Sequence, residues 1–116
     1  MEKPLELTFA NVQPSPAIEK AVREKAAKLE RFFDRIVSCR VVVEAQQKNH
    51  RKGNLFQVKI FLVVPGREIV VDRTGSRNPA HEEWQVALRD AFDAATRRLE
   101  DHARRIRGEV KTHAVS

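Results

Sequence analysis

The chain has 116 residues, of which 22 are Lys or Arg and 16 are Asp or Glu, leaving a net charge of +6 and a pI near 10. That length suits one domain with its own core, needing neither disulfide nor metal, and 41% hydrophobic residues exclude a disordered composition. The longest purely apolar run, Ile60 to Val64, is far below a membrane span, and the opening Met1-Glu2-Lys3-Pro4 has no apolar signal core, so a cytoplasmic protein is expected.

Leu5, Leu7 and Phe9 alternate with Glu6 and Thr8, the period of a half-buried strand, and Asn11 to Pro14 breaks it. Ser15-Pro16 then offers a capping hydroxyl followed by proline at the first helical position. Ile18, Val22, Ala26, Leu29 and Phe33 recur at helical spacing, predicting a helix over 16–35. Cys39, Val41, Val43 and Ala45 alternate with Arg40, Glu44 and Gln46 in a second strand that ends in a polar turn, Lys48 to Gly53. A third strand over about 55–64 places Phe56, Val58, Ile60, Leu62 and Val64 on one face; Pro65-Gly66 is a turn, and Ile69 and Val71 mark a fourth strand. Asn78-Pro79 repeats the cap-then-proline start, with Glu82 and Glu83 in the first turn. Trp84, Leu88, Ala91, Ala95, Leu99, Ala103 and Ile106 form the apolar stripe of a second helix that Gly108 can end.

The order β-α-β-β-β-α predicts an α+β fold. A right-handed crossover makes the first two strands parallel neighbours, two hairpins add the others antiparallel, and both helices pack on one face of a four-stranded mixed sheet. The other face, with Glu6, Thr8, Arg40, Glu44, Gln57 and Lys59, reads as solvated. One domain over 5–108 is expected, with 109–116 a disordered tail.

The positive charge falls in blocks. Residues 20–35 carry six Lys/Arg against three acids, and residues 36–67 carry six against Glu44 alone. Around the first helix Lys20, Lys28, Arg31 and Arg35 share one polar flank, interrupted by Glu24, while Glu19, Glu30 and Asp34 collect toward the other. A helix selected only for solubility would intermix the signs to gain pairs at three- and four-residue spacing. Arg97, Arg98, Arg104, Arg105 and Arg107 crowd the end of the second helix, more cations than its dipole calls for. Lys48, Arg51 and Lys52 add a basic loop. Clustered cations are favoured by counterion release from phosphates, and two helices with a loop make a surface wide enough for structured RNA met by shape. Phe9, Phe32, Phe33, Phe56 and Phe92 fall largely on core stripes, Trp84 begins another, and Tyr is absent, so single-strand binding by base stacking is disfavoured.

Catalytic signals are missing. His81-Glu82 would need a second histidine where Gln85 stands, and His50, His81, His102 and His113 lack ligand spacing. No glycine-rich phosphate loop is present, Ser15, Ser38 and Ser76 have cap or turn roles, and Cys39 lies in a valine-rich strand as a small buried hydrophobe. Neither enzyme activity, cofactor, metal nor small-molecule substrate is expected.

Three features together carry a family resemblance. They are the element order, the run Ser15-Pro16-Ala17-Ile18 continuing to Ala27-Lys28-Leu29-Glu30-Arg31-Phe32-Phe33-Asp34, and the run His81-Glu82-Glu83-Trp84 through Ala87-Leu88 to Arg97-Arg98-Leu99. Over about 5–107 the chain resembles the hibernation-promoting factor and ribosome-associated inhibitor A family, also known as the sigma-54 modulation protein family. The resemblance implies binding to small-subunit rRNA between head and body, covering the channel for mRNA and for A- and P-site tRNA, and so inhibiting translation in stationary or stressed bacteria. Family basic positions match Lys25, Lys28 and Arg31 on the first helix and Arg97, Arg104 and Arg105 on the second; Lys20, Arg35, Arg98, Lys48, Arg51 and Lys52 come from charge geometry alone. Gln85 stands where the family often has an aromatic. Long members use a second domain to pair ribosomes, so dimer formation here is expected to require another factor. A general double-stranded RNA binder and a protein-interaction modulator of a polymerase factor are the alternatives.

Overall fold

The computed structural model describes residues 1–47, 54–73 and 84–115. Its elements are β1 (Glu6–Ala10), α1 (Pro16–Phe32), β2 (Ser38–Gln47), β3 (Asn54–Val64), β4 (Arg67–Arg73) and α2 (Trp84–Val115). The four strands form one sheet in the order β1-β2-β3-β4. β1 runs parallel to β2, with Leu7 beside Val41, and the β2–β3 and β3–β4 pairs are antiparallel. The expected α+β architecture is therefore the observed one.

Alternation along the strands builds the core. Cys39, Val41, Val43 and Ala45, then Val58, Ile60, Leu62 and Val64, then Ile69 and Val71 are all buried on one sheet face. Ile18, Val22, Ala26 and Leu29 of α1 and Leu88, Ala91, Ala95 and Leu99 of α2 close over it in a single cluster. The β3–β4 turn is Pro65-Gly66, where Gly66 takes φ 80°, a conformation glycine adopts without strain and that fits the third position of a type II turn.

α1 begins as its sequence dictates: the Ser15 hydroxyl accepts a hydrogen bond from the Ile18 amide at 3.3 Å, and Pro16 follows the cap. It ends three residues earlier than the periodicity predicts. Phe33 is the C-cap, in extended conformation, with its amide still donating to the Leu29 carbonyl at 2.8 Å. The chain leaves the helix there because Ile36, 2% exposed, must reach the core before β2 starts.

The predicted start of the second helix at 78–83, and the turn at 48–53, lie outside the described residues. At its other end α2 runs through Gly108 to Val115 where the sequence suggests a stop and a frayed tail. A glycine costs a helix only about 1 kcal/mol and leaves its hydrogen bonds possible. The apolar stripe also differs in detail. His102, not Ala103, occupies the buried position after Leu99, because the buried row continues three residues on, and Ile106 is exposed. Phe32 is 49% exposed rather than core: the chain turns at Phe33, which packs inward, and Phe32 is left at the helix end.

Candidate nucleic-acid interface

Two contacts fix how the helices lie. Near the start of α2, Trp84 and Arg89 line a groove with Ala21 and Lys25 of α1. Further along, His102 of α2 meets Phe33, just past the end of α1, edge to face with ring centroids 6.0 Å apart. The helices therefore run in the same direction, and the cations concentrated toward both carboxyl ends are gathered at one end of the molecule.

The segregation of charge around α1 has a structural counterpart. Its acidic flank faces the β1 edge and the amino terminus. Glu19 pairs with Arg23 at 3.0 Å, Glu30 with the terminal amine at 3.2 Å, and Arg23 lies over Leu5, Leu7 and Phe9. Lys25 is half-buried on the opposite flank, toward α2, while Lys20, Lys28 and Arg31 are exposed along that flank and the outer surface, and Arg35 is exposed just beyond the helix. Among the described residues none of these five cations has a carboxylate within ion-pairing distance. Cations without such a carboxylate can meet an anionic partner without first breaking an ion pair.

Four of the arginines of α2 divide into two pairs. Arg97 and Arg104, seven residues apart and hence on the same side, stand on the surface that faces away from the sheet. Arg104 Nη2 lies 2.8 Å from Asp101 Oδ1, an exposed pair of small energetic weight. Arg98 instead turns to the sheet margin, where Nη1 donates to the Val70 carbonyl at 3.2 Å. Arg105 shares its side of the helix. The sequence groups all four, whereas the structure turns Arg98 to the β4 margin, away from α1, and helical phase puts Arg105 on the same side. Lys48, Arg51 and Lys52 lie outside the described residues.

Arg89 is a cation the sequence missed. It sits in the acidic first half of α2, and only the packing of that half against α1 brings it across from Lys25. Among the described residues the opposite sheet face mixes Arg40 and Lys59 with Glu6, Glu44, Glu68 and Asp72. Arg40 is stacked 4.4 Å over Phe61, and Gln57, expected to be solvated, is only 7% exposed and donates from Nε2 to Asp72 Oδ1 at 2.8 Å. A central-strand glutamine is covered by its neighbours even on the open face.

Chemistry beyond charge is sparse. Burial first, and the nearby Glu30 carboxylate second, push the Cys39 thiol up to about 12, so it stays a neutral thiol in the folded protein. His102 is 7% exposed, and its Nε2 has no hydrogen-bond partner among the described residues. No group of His, Cys, Asp and Glu among the described residues is arranged to hold a metal ion, and no described helix is long and apolar enough to cross a membrane. What the arrangement offers is a rigid frame presenting cations at one end, suited to phosphates whose spacing is set by a folded RNA.

A search of curated proteins finds no match. Among solved structures, the chain is similar to a ribosomal subunit interface protein from Coxiella burnetii, with 14% identity, 85% of this chain and 96% of that one covered, and a TM-score of 0.69. It is also similar to the N-terminal domain of Protein Y from Thermus thermophilus, with 20% identity, 84% and 94% covered, and a TM-score of 0.66. At such identities the likeness establishes the fold. The sequence itself matches the family described as sigma 54 modulation protein / S30EA ribosomal protein over residues 5–107. Since that match takes in every strand, both helix starts and the basic carboxyl end of α2 as far as Arg107, the chain belongs to the sigma 54 modulation protein / S30EA ribosomal protein family.

Proposed function

We propose that this protein is a ribosome-associated translation inhibitor of the hibernation type, which binds small-subunit rRNA with the end where its two helices converge. The observation that carries this reading is the parallel course of α1 and α2, which gathers Lys28, Arg31 and Arg35 with Arg97 and Arg104. The family's description as a ribosomal protein and the Coxiella burnetii neighbour's as a subunit interface protein support the same partner. Lys20 and Lys25 extend the contact along α1 toward the end of the sheet where β2 stops at Gln47 and β3 starts at Asn54, and Lys48, Arg51 and Lys52, which fall between those two in the chain, are a further contact proposed on charge alone.

The mechanism is occlusion. Lysine and arginine pair with phosphates while the sheet holds both helices in register, and the bound domain fills the channel that mRNA and A- and P-site tRNA must enter. The protein binds and blocks rather than catalyses, it acts in the cytoplasm where ribosomes are, and its effect is to silence them in stationary or stressed cells. The test is an in-vitro translation assay in which the protein is added before or after initiation complexes assemble. Strong inhibition before loading and weak inhibition after it is expected. Equal inhibition in both orders would refute occlusion, even with ribosome binding intact. An isolated RNA duplex that competes as well as small subunits would favour the general double-stranded RNA binder.

A further inference from the structure

The groove between the helices combines features that the phosphate surface alone does not need. It has a volume of about 370 Å³, at the small end of ligand-sized pockets. Leu88, buried at 1%, lies at its base. Trp84 packs partly on the core and partly faces the groove, so the indole is anchored and yet accessible. Ala21 of α1 lines the same groove, and its small side chain leaves a slot there with room for a flat ring. Lys25 and Arg89 flank the slot from the two helices. The only carboxylate partner of Arg89 among the described residues is the adjacent Asp90, at a loose 3.9 Å. Gln85 brings an uncharged amide able both to donate and to accept. Among the described lining residues Glu24 is the one carboxylate, against the two cations Lys25 and Arg89.

An apolar peptide would find two cations without use there, and a bare anion would find an indole without use. An unstacked nucleotide uses both: its base stacks on an aromatic face, its edge meets a neutral amide, and its phosphates meet the cations. Resting on the ribosomal reading above, we infer that this groove receives one splayed-out base of the small-subunit rRNA, with the base against Trp84 and its flanking phosphates at Lys25 and Arg89. A single slot of this size holds one base, which is compatible with a chain too poor in aromatics to bind a continuous single strand.

Trp84 is the only tryptophan and the chain has no tyrosine, so intrinsic fluorescence reports on this groove alone. Titration of the protein with purified small subunits, with co-sedimentation measured in parallel, is expected to quench that emission as binding proceeds. Trp84→Leu should weaken small-subunit binding roughly 5- to 150-fold, the range found for loss of one stacked base, and Trp84→Phe should restore most of it. Ala21→Leu, which fills the slot from the other helix, should weaken binding in the same direction. It carries the test if melting shows that Trp84→Leu fails to fold. Co-sedimentation with unchanged emission and unchanged affinity of these variants overturns the groove as a base site and leaves the ribosomal reading standing. Absence of co-sedimentation by the wild type overturns both. Quenching by free adenosine monophosphate at the same concentrations as by small subunits would overturn the assignment to rRNA.

Discussion

The division of the α2 arginines gives the sharpest test of the interface. Of the proposed contact, six exposed cations lie on α1, just beyond it, and on the outward side of α2: Lys20, Lys28, Arg31, Arg35, Arg97 and Arg104. If each displaces one counterion, these six alone give a slope of log affinity against log salt of about −4 to −5 for small subunits, to which Lys25 and Arg89 in the groove add. On the six alone, affinity should then fall roughly 300- to 2000-fold between 50 and 200 mM salt, the range over which such slopes are commonly read. Replacing Arg97 and Arg104 together by alanine should lower their share of the slope to about −3 and the same fall to roughly 50- to 150-fold. Replacing Arg98 and Arg105 should leave the slope within about half a unit of wild type, because they share the side of α2 on which Arg98 is engaged with the Val70 carbonyl of β4. The lost Arg98 bond should cost stability by no more than about 1 kcal/mol, which thermal melts would register separately. Sedimentation with small subunits at four or five salt concentrations measures all three slopes. If the Arg98/Arg105 variant loses as much slope as the Arg97/Arg104 variant, the β4 margin is part of the contact and the proposed orientation is wrong.

Two further outcomes concern the fold itself. Leu29→Ala empties a position that is 3% exposed and should cost about 2–5 kcal/mol, whereas Arg31→Ala, exposed two residues on, should stay within roughly 0.5 kcal/mol; equal losses in chemical denaturation would contradict the observed helical phase. Cys39 should make the protein sensitive to alkali. Its folded thiol titrates at about 12 against 9.0 when unfolded, so its contribution to stability is complete below pH 9 and is lost as pH rises toward 12. The loss should reach about 1 kcal/mol by pH 10. Stability curves of wild type and Cys39→Val should therefore diverge above pH 9, and curves that stay parallel to pH 11 would show that the thiol ionises freely in the folded state.

The element order and the sheet were legible because strand and helix periods, the Ser15-Pro16 cap and the Pro65-Gly66 turn are local signals that tertiary packing reinforced. Less legible were places where one element answers to another. Nothing near Phe33 says that Ile36 must reach the core, so the end of α1 was set by packing. The position after Leu99 reads as Ala103 on hydrophobicity, and only the observed phase puts His102 there. For the candidate interface, composition and helical phase were enough to separate the two flanks of α1. They were not enough to divide Arg97 and Arg104 from Arg98 and Arg105, which requires knowing where β4 lies, nor to pair Lys25 with Arg89 across the strands that separate them in the chain. Trp84 counted as a stripe residue in one dimension and became half core and half groove in three.

The parallel course of the helices has a consequence for how the protein travels as well as where it grips. In α1 Glu19, Lys20, Arg23 and Glu24 cancel near the start while Lys25, Lys28, Glu30 and Arg31 leave a net positive charge near the end, and in α2 Arg89, Asp90 and Asp93 are net negative early while Arg97, Arg98, Arg104, Arg105 and Arg107 outweigh Glu100 and Asp101 late. Antiparallel helices would let these gradients cancel. Aligned, they add, and their ionic charge outweighs the opposing backbone dipoles, each worth about half a charge at a helix end. The two helices together thus act as an electric needle with its positive tip at their carboxyl ends. In the field of a polyanion it experiences a torque before it touches anything, and collisions arrive tip first more often than chance would give. Association speed is then governed by charges well outside the contact as much as by those within it, and Asp90 or Asp93 contributes to capture by repelling the wrong end.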